Sequence, residues 1–253
     1  MIFKNDTVII SGGLGDIGRA IALEFAKQGA NIALGDIHQP DHAREFLAAL
    51  KEYKIQSGYR QVDVTDAEAV KHWVNEVESE MGLPGIIIAN AATVTFGSTI
   101  EMSAGQWSRE LRVNLDGAFH LTKAATARLL HHGRPGRVVF MGSWAAHAVH
   151  PNIPAYCVSK AGMRMLCKCM ALELAPYNIL VNEMAPGFVD AGLSGQSFEK
   201  DPATRTAALQ KVPVKKLISA AEVAQQVLLL CHPQNVHMTG STVLMDGGLS
   251  LLI

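Results

Sequence analysis

Among its 253 residues, the chain has no apolar run approaching the ~20 residues that a membrane-spanning helix needs. Cysteine is scarce. Cys167-Lys168-Cys169 is too tight for a zinc or redox pair, and Cys157 and Cys231 stand apart from it. Free thiols of this kind suit a reducing compartment. Charge is low and balanced, with 22 basic against 23 acidic side chains and a formal net charge of −1. Nothing in that balance suggests nucleic acid or an anionic membrane as a partner. There is no internal repeat, low-complexity tract or linker. Residues 1–6 lead straight into an apolar run and leave no room for a secretory leader, so a cytoplasmic protein is expected.

What is present is alternation. Apolar runs at 7–10, 31–36, 58–64, 85–89, 137–142, 179–185 and 241–246 predict buried strands. Between them, helical spacing predicts helices over 19–28, 41–53, 67–81, 106–130, from 156 to about 177, and over 220–231. Strand and helix in strict turn predict one right-handed, doubly wound domain spanning 1–253. Residues 190–212 are polar, small and weakly periodic, and are expected to form a mobile lid.

Two constellations carry chemistry. Ser11-Gly12-Gly13-Leu14-Gly15-Asp16-Ile17-Gly18 lies between the first strand and the first helix. A glycine turn there lets the backbone approach a pyrophosphate, and the helix N-terminus offers it free N–H groups. Asp36, eighteen residues beyond Gly18 at the end of the second strand, suits the hydroxyl pair of a ribose. Such a carboxylate repels a 2′-phosphate, which favours NAD over NADP; Arg19 is the counter-signal. Further on, Tyr156 and Lys160 sit four apart at a helix start, so they share one face. A fixed ammonium favours phenolate and is expected to lower the tyrosine pKa toward the range acid–base catalysis needs. Ser143 ends the preceding strand, which places both hydroxyls at the carboxyl edge of the sheet. Asn114 lies inside an apolar helix face and must satisfy its amide.

Ser143, Tyr156 thirteen residues later and Lys160 four beyond resemble the active site of the short-chain dehydrogenase/reductase family, and the resemblance covers the whole chain. It implies a Rossmann-like parallel sheet of about seven strands with helices on both faces. It assigns Tyr156 as the acid–base, Ser143 to the reacting oxygen, Lys160 to the tyrosine and the nicotinamide ribose, and Asn114 to a water that links the lysine to solvent. It implies a cofactor held by Gly12, Leu14, Gly15, Asp16, Ile17 and Gly18, by Asp36 and Ile37, by Asp63 and Val64 at the adenine, and by Asn90, Ala91 and Ala92. Tyr156, Lys160, Pro186, Gly187 and Val189 complete that set. No metal is implied. Asp246-Gly247-Gly248 and the apolar tail Leu249, Leu251, Leu252 and Ile253 resemble the family's subunit contact, so a homo-oligomer is expected, a tetramer or a dimer.

Three positions depart from the family pattern. The glycines are spaced as in the longer, extended branch, with Asp16 where the shorter branch has glycine; Asp16 is expected to point outward and cap local amides. Alanine stands last in Asn90-Ala91-Ala92. Ala191 replaces a threonine, with Ser194 as a substitute hydroxyl. Ser143, Trp144, Ala145, His147, Asn152, Phe188 and Asp190 are expected to line the substrate pocket. The expected activity is NAD-dependent oxidation of a secondary alcohol: a sugar, polyol or other small hydroxylated metabolite. The alternatives are a reductase of 3-oxoacyl groups on a carrier protein and a non-catalytic dinucleotide-binding regulatory protein.

Overall fold

The computed structural model describes residues 1–252. Its strands are β1 (Thr7–Ser11), β2 (Asn31–Asp36), β3 (Ser57–Gln61), β4 (Pro84–Ala89), β5 (Gly136–Met141), β6 (Ile179–Pro186) and β7 (Thr242–Met245). Its helices are α1 (Asp16–Lys27), α2 (Arg44–Leu50), α3 (Ala67–Met81), α4 (Ala104–Leu111), α5 (Gly117–His131), α6 (Pro154–Leu174), α7 (Gly192–Lys200), α8 (Pro202–Lys211) and α9 (Ala220–Cys231). The seven strands form one parallel sheet in the order β3-β2-β1-β4-β5-β6-β7. The chain winds outward from β1 through β3, then returns to the other side of β1 at β4. That reversal opens a crevice beyond the carboxyl ends of β1 and β4, where this topology binds ligands.

The continuous apolar runs follow from burial on both faces. On one face Ile21 and Phe25 of α1, Leu50 of α2, and Val223 and Val227 of α9 pack on Val8, Ile10, Ile32 and Leu34. On the other, Trp73 and Val77 of α3, Leu121 and Leu129 of α5, and Met163 of α6 pack on Ile9, Ile87, Val138 and Phe140.

Three segments differ from the pattern read in the sequence. Residues 41–53 are not one helix: 3₁₀ turns at Pro40–Ala43 and Lys51–Tyr53 flank α2, and Lys54 ends the segment at φ +56°. The helix expected over 106–130 begins at Ala104 on a Ser103–Gln106 capping box and passes through one π turn, Arg112–Asp116, before becoming α5. Residues 190–212 carry the two helices α7 and α8, the second capped by Asp201. Phe198 and Ala208 are their buried anchors, too few to give a clear period. At the C-terminus Asp246 accepts the amides of Gly248 and Ser250 at 2.9 and 2.8 Å. Leu249 is buried, Leu251 and Leu252 are exposed, and Ile253 lies outside the described residues.

Candidate active site

The glycine turn is built by neighbours that leave it no other shape. Gly12 sits at φ +62°, a conformation glycine enters without strain. Its carbonyl and that of Ser11 accept the Asn90 side-chain amide at 2.9 and 3.1 Å. Ser11 Oγ in turn accepts the amides of Asn90 and Ala91 at 3.1 and 3.2 Å. The end of β4 therefore clamps the turn that follows β1. A Cβ on Gly18 would overlap the Gly12 carbonyl oxygen, so α1 starts flush against the turn. Gly18→Ala is expected to cost roughly 1–3 kcal/mol of stability by forcing that backbone apart. It should also weaken NADH binding; thermal melts and NADH fluorescence titration check both.

Asp36 is nine-tenths buried and already engaged. One carboxylate oxygen accepts the Leu14 amide at 3.0 Å; the other faces His38 Nδ1 at 2.6 Å. Arg19 folds back onto the Leu14 carbonyl at 2.8 Å rather than outward. Asp16 accepts the Gly192 amide at 2.8 Å. The local capping expected for it is thus replaced by a link to the first residue of α7, which ties the glycine turn to that helix.

These groups line one cleft of about 1150 Å³. Gly12, Leu14, Gly15, Asp16, Ile17, Gly18, Asp36, Ile37, Asp63, Val64, Asn90, Ala91, Ala92, Pro186, Gly187 and Val189 all face it, as do Ser143, Tyr156 and Lys160. The first turn of α1 opens onto it with amides that have no intrahelical acceptor. A cradle of close-packed glycine backbone, a helix N-terminus and a buried carboxylate fit a dinucleotide.

At the other end, α6 starts at Pro154 and brings Lys160 one turn behind Tyr156. Lys160 is 1% exposed; its Nζ donates to the Met141 carbonyl at 2.7 Å and lies 5.4 Å from the Tyr156 ring centroid. The two side chains share a face. The electrostatics differ from expectation. Burial pushes the Tyr156 phenol up to about 12, against the hydrogen bond of Ser143, which lowers it. Burial likewise pulls Lys160 down to about 8, against Glu183 and Glu110, which raise it. Desolvation of the phenolate outweighs the Ser143 hydrogen bond that favours it, so the phenol is held in its neutral form.

Ser143 follows β5 in extended backbone, and its Oγ accepts the Ala145 amide at 3.1 Å. Its carbonyl and that of Ala146 accept Arg164 at 3.3 and 3.2 Å. Arg164 is held in turn by the fully buried Glu183, at 2.8 Å from Nε. Asn114, in the π turn, accepts the Thr93 amide at 2.8 Å and donates to the Thr93 carbonyl and to Ser159 Oγ at 2.9 and 3.1 Å. Both protons of its side-chain amide are spent, so its side chain can hold a water only through Oδ1.

On the substrate side Ala145, Asn152 and Phe188 line the cleft, together with Ser194. Trp144, His150 and Phe188 form a triangle of rings with centroids 5.5, 5.5 and 5.9 Å apart. His147 and Asp190 do not line it. His147 turns to the surface after the 3₁₀ turn Trp144–Ala146, and Asp190 is drawn away into an ion pair with Arg205 at 2.5 Å. No motif singles out Glu110, Arg164 or Glu183. Their charges sit at apolar positions of helical or strand runs, and that mismatch is the one signal that could have marked them.

A family model described as enoyl-(acyl carrier protein) reductase matches residues 13–250. A 3-oxoacyl-(acyl-carrier-protein) reductase of Thermotoga maritima is 31% identical over 253 residues, covering 98% of this chain and 99% of that protein. A 3beta-hydroxysteroid dehydrogenase of Eggerthella lenta is 29% identical over 248 residues, covering 98% and 95%. The solved structure of NAD+-bound xylitol dehydrogenase superposes with a TM-score of 0.93 at 29% identity, covering 98% of this chain and all of that one. The seven-stranded sheet, the glycine turn at its switch point and these matches along the full chain show that the protein belongs to the short-chain dehydrogenase/reductase family, oxidoreductases that act on alcohol and carbonyl groups with a nicotinamide dinucleotide.

Proposed function

We propose that this protein is an NAD-dependent oxidoreductase that interconverts a secondary alcohol and its ketone, with a sugar, polyol or other small hydroxylated metabolite as substrate. The observation that carries this is the convergence of Ser143, Tyr156 and Lys160 on the cleft that the glycine turn lines. A dinucleotide held by the glycine turn and Asp36 would supply hydride chemistry at its nicotinamide. In oxidation Tyr156 takes the hydroxyl proton as the carbinol carbon loses its hydride, and in reduction its phenol returns that proton to the oxygen. Ser143 fixes the oxygen, and Lys160 holds positive charge beside the tyrosine. Asn114, tied to Thr93 and Ser159, fixes the helix turn behind them. The exposed apolar side chains of α5 and α6, among them Phe119, Met165 and Leu172, support a homo-oligomer.

NAD is favoured because Asp36 presents its carboxylate at the ribose end of the cleft. Asp36→Ala is expected to weaken NADH binding and narrow its preference over NADPH by roughly tenfold, about 1.4 kcal/mol of discrimination. Fluorescence titration of both reduced cofactors checks it. An unchanged ratio of dissociation constants counts against Asp36 as the discriminating group.

A second reading, reduction of 3-oxoacyl groups on a carrier protein, draws support from the Thermotoga maritima relative and from Arg109 and Lys211 on the cleft wall, which would suit an acidic substrate. Asp36 argues against it, since reductive biosynthesis usually draws on NADPH. NADH formation across sugars, polyols, steroids and hydroxy acids, beside NADPH consumption with 3-oxoacyl thioesters, separates the two. Turnover confined to the thioesters would overturn the first reading.

A further inference from the structure

Asp16 takes no part in moving a hydride or a proton, yet it places a carboxylate inside the glycine turn. It is the first residue of α1 and lines the cleft. A carboxylate there opposes the charge of a pyrophosphate unless it is committed elsewhere. It is committed: Oδ2 accepts the Gly192 amide at 2.8 Å, across 176 residues of chain. Gly192 opens α7 and lines the same cleft. One hydrogen bond therefore joins two walls of the cleft, the glycine turn and the start of α7.

The local sequence gives α7 no cap of its own. Ala191 stands at the N-cap, and its side chain has no oxygen to accept an amide. The Asp16 carboxylate takes that place, and negative charge is favoured at the positive end of a helix. Packing holds α7 loosely. Among the described residues Phe198 is its one buried side chain, and a second cavity of about 360 Å³, lined by Asp16, Gln196, Phe198 and Glu199, leaves space beside it. The chain just before α7 is fixed by contrast. Ile218 donates to the Phe188 carbonyl at 3.0 Å and accepts the Asp190 amide at 2.8 Å. Arg205 holds the Asp190 carboxylate at 2.5 and 3.1 Å. Between the fixed residue 190 and the loosely packed helix, the backbone turns at Gly192, φ +58°, a conformation glycine enters without strain. Asp16 grips the chain at that turn.

We propose that Asp16 is a positioning residue that straps α7 to the glycine turn, and that a dinucleotide enters and leaves the cleft only when this bond opens. The strap holds the start of α7 in place before any cofactor arrives. It also commits the carboxylate to Gly192, which leaves the first-turn amides of α1 to the pyrophosphate. This rests on the reading of the cleft as a dinucleotide site.

Two substitutions separate the hydrogen bond from the charge. Asp16→Asn keeps an oxygen that can accept the Gly192 amide; Asp16→Ala keeps neither oxygen nor charge. In stopped-flow mixing with NADH, Asp16→Ala is expected to raise the association and the dissociation rate constants together by roughly tenfold, the scale of a lost helix cap. The dissociation constant then changes little, and Asp16→Asn should recover most of the wild-type slowness. Equal rate constants in all three proteins overturn the proposal, as does an effect of Asp16→Ala on one rate constant alone. A faster association shared equally by both variants also overturns it, because Asp16 then acts as a charge near the pyrophosphate and not as a strap.

Amide hydrogen exchange of protein labelled with nitrogen-15 glycine reads the strap without cofactor. The Gly192 amide should be protected in the wild type and in Asp16→Asn, and should exchange roughly tenfold faster in Asp16→Ala. A Gly192 amide that exchanges freely in the wild type overturns the proposal even if a variant fails to fold. Should the wild-type protein bind no dinucleotide, the cofactor reading fails, while the exchange still decides whether Asp16 holds α7.

Discussion

Tyr156→Phe is expected to bind NADH as the wild type does and to lose alcohol oxidation by roughly 10³-fold, the scale of a positioned acid–base group. The two halves of this outcome rest on different parts of the cleft. On the proposed reading the dinucleotide would be held by the turn from Gly12 to Gly18, by Asp36 and by Lys160, and none of these depends on the phenol oxygen. The phenol oxygen is the group that the proposed mechanism sets between Ser143 and the reacting carbon's oxygen. Desolvation pushes it up to about 12, which on the proposed reading suits an acid for reduction. Oxidation needs the phenolate, so wild-type oxidation should speed up as pH rises, and the residual rate of Tyr156→Phe should lose that dependence. Stopped-flow NADH formation from pH 6 to 10, beside a fluorescence titration of NADH at pH 7, measures both. A variant that kept the wild-type rate and pH dependence would remove Tyr156 from the mechanism.

The legible part of this molecule was the part in which residue type and burial agree. The strands β1, β4, β5 and β6 are apolar runs buried on both faces, and their existence could be read directly. The same holds for the glycine turn, whose spacing is imposed by the close approach of α1, and for Tyr156 and Lys160, whose separation is one helical turn. Where tertiary contacts decide, the sequence was silent or misleading. Asp16 reads as a misplaced acid until Gly192, far along the chain, supplies the amide it accepts. The π turn at Asn114 has no local signature in the residues 112–116 that form it. The neighbouring ammonium alone predicts a fall of the tyrosine pKa, while desolvation of the phenolate sets the opposite sign. His147 and His150 look alike in the sequence, and only the 3₁₀ turn after Ser143 sends one outward and the other into the cleft.

Arg164→Met is expected to lower stability by roughly 3–5 kcal/mol, because it strands the Glu183 carboxylate inside the protein. Glu183 is 0% exposed; Arg164 donates to its two oxygens at 2.8 and 3.3 Å, and Thr242 Oγ1 donates to one of them at 2.6 Å. Once the guanidinium is gone, the hydroxyl of Thr242 is the one hydrogen-bond donor left to that carboxylate among the described residues, and the Lys160 ammonium, which feels its charge, does not contact it. Adding Glu183→Gln removes that charge, and the double variant should recover most of the lost melting temperature. Turnover should follow a different course. The guanidinium also donates to the carbonyls of Ser143 and Ala146, the segment that aims the serine hydroxyl into the cleft. Neutralising Glu183 does not replace those bonds, so kcat should stay depressed in the double variant, by roughly 10²-fold for a misaligned reacting group, with NADH affinity intact. Thermal melts and steady-state kinetics on the two single variants and the double variant separate the effects. If activity returned in step with stability, the ion pair would be part of the core alone, and Ser143 would hold its place without Arg164.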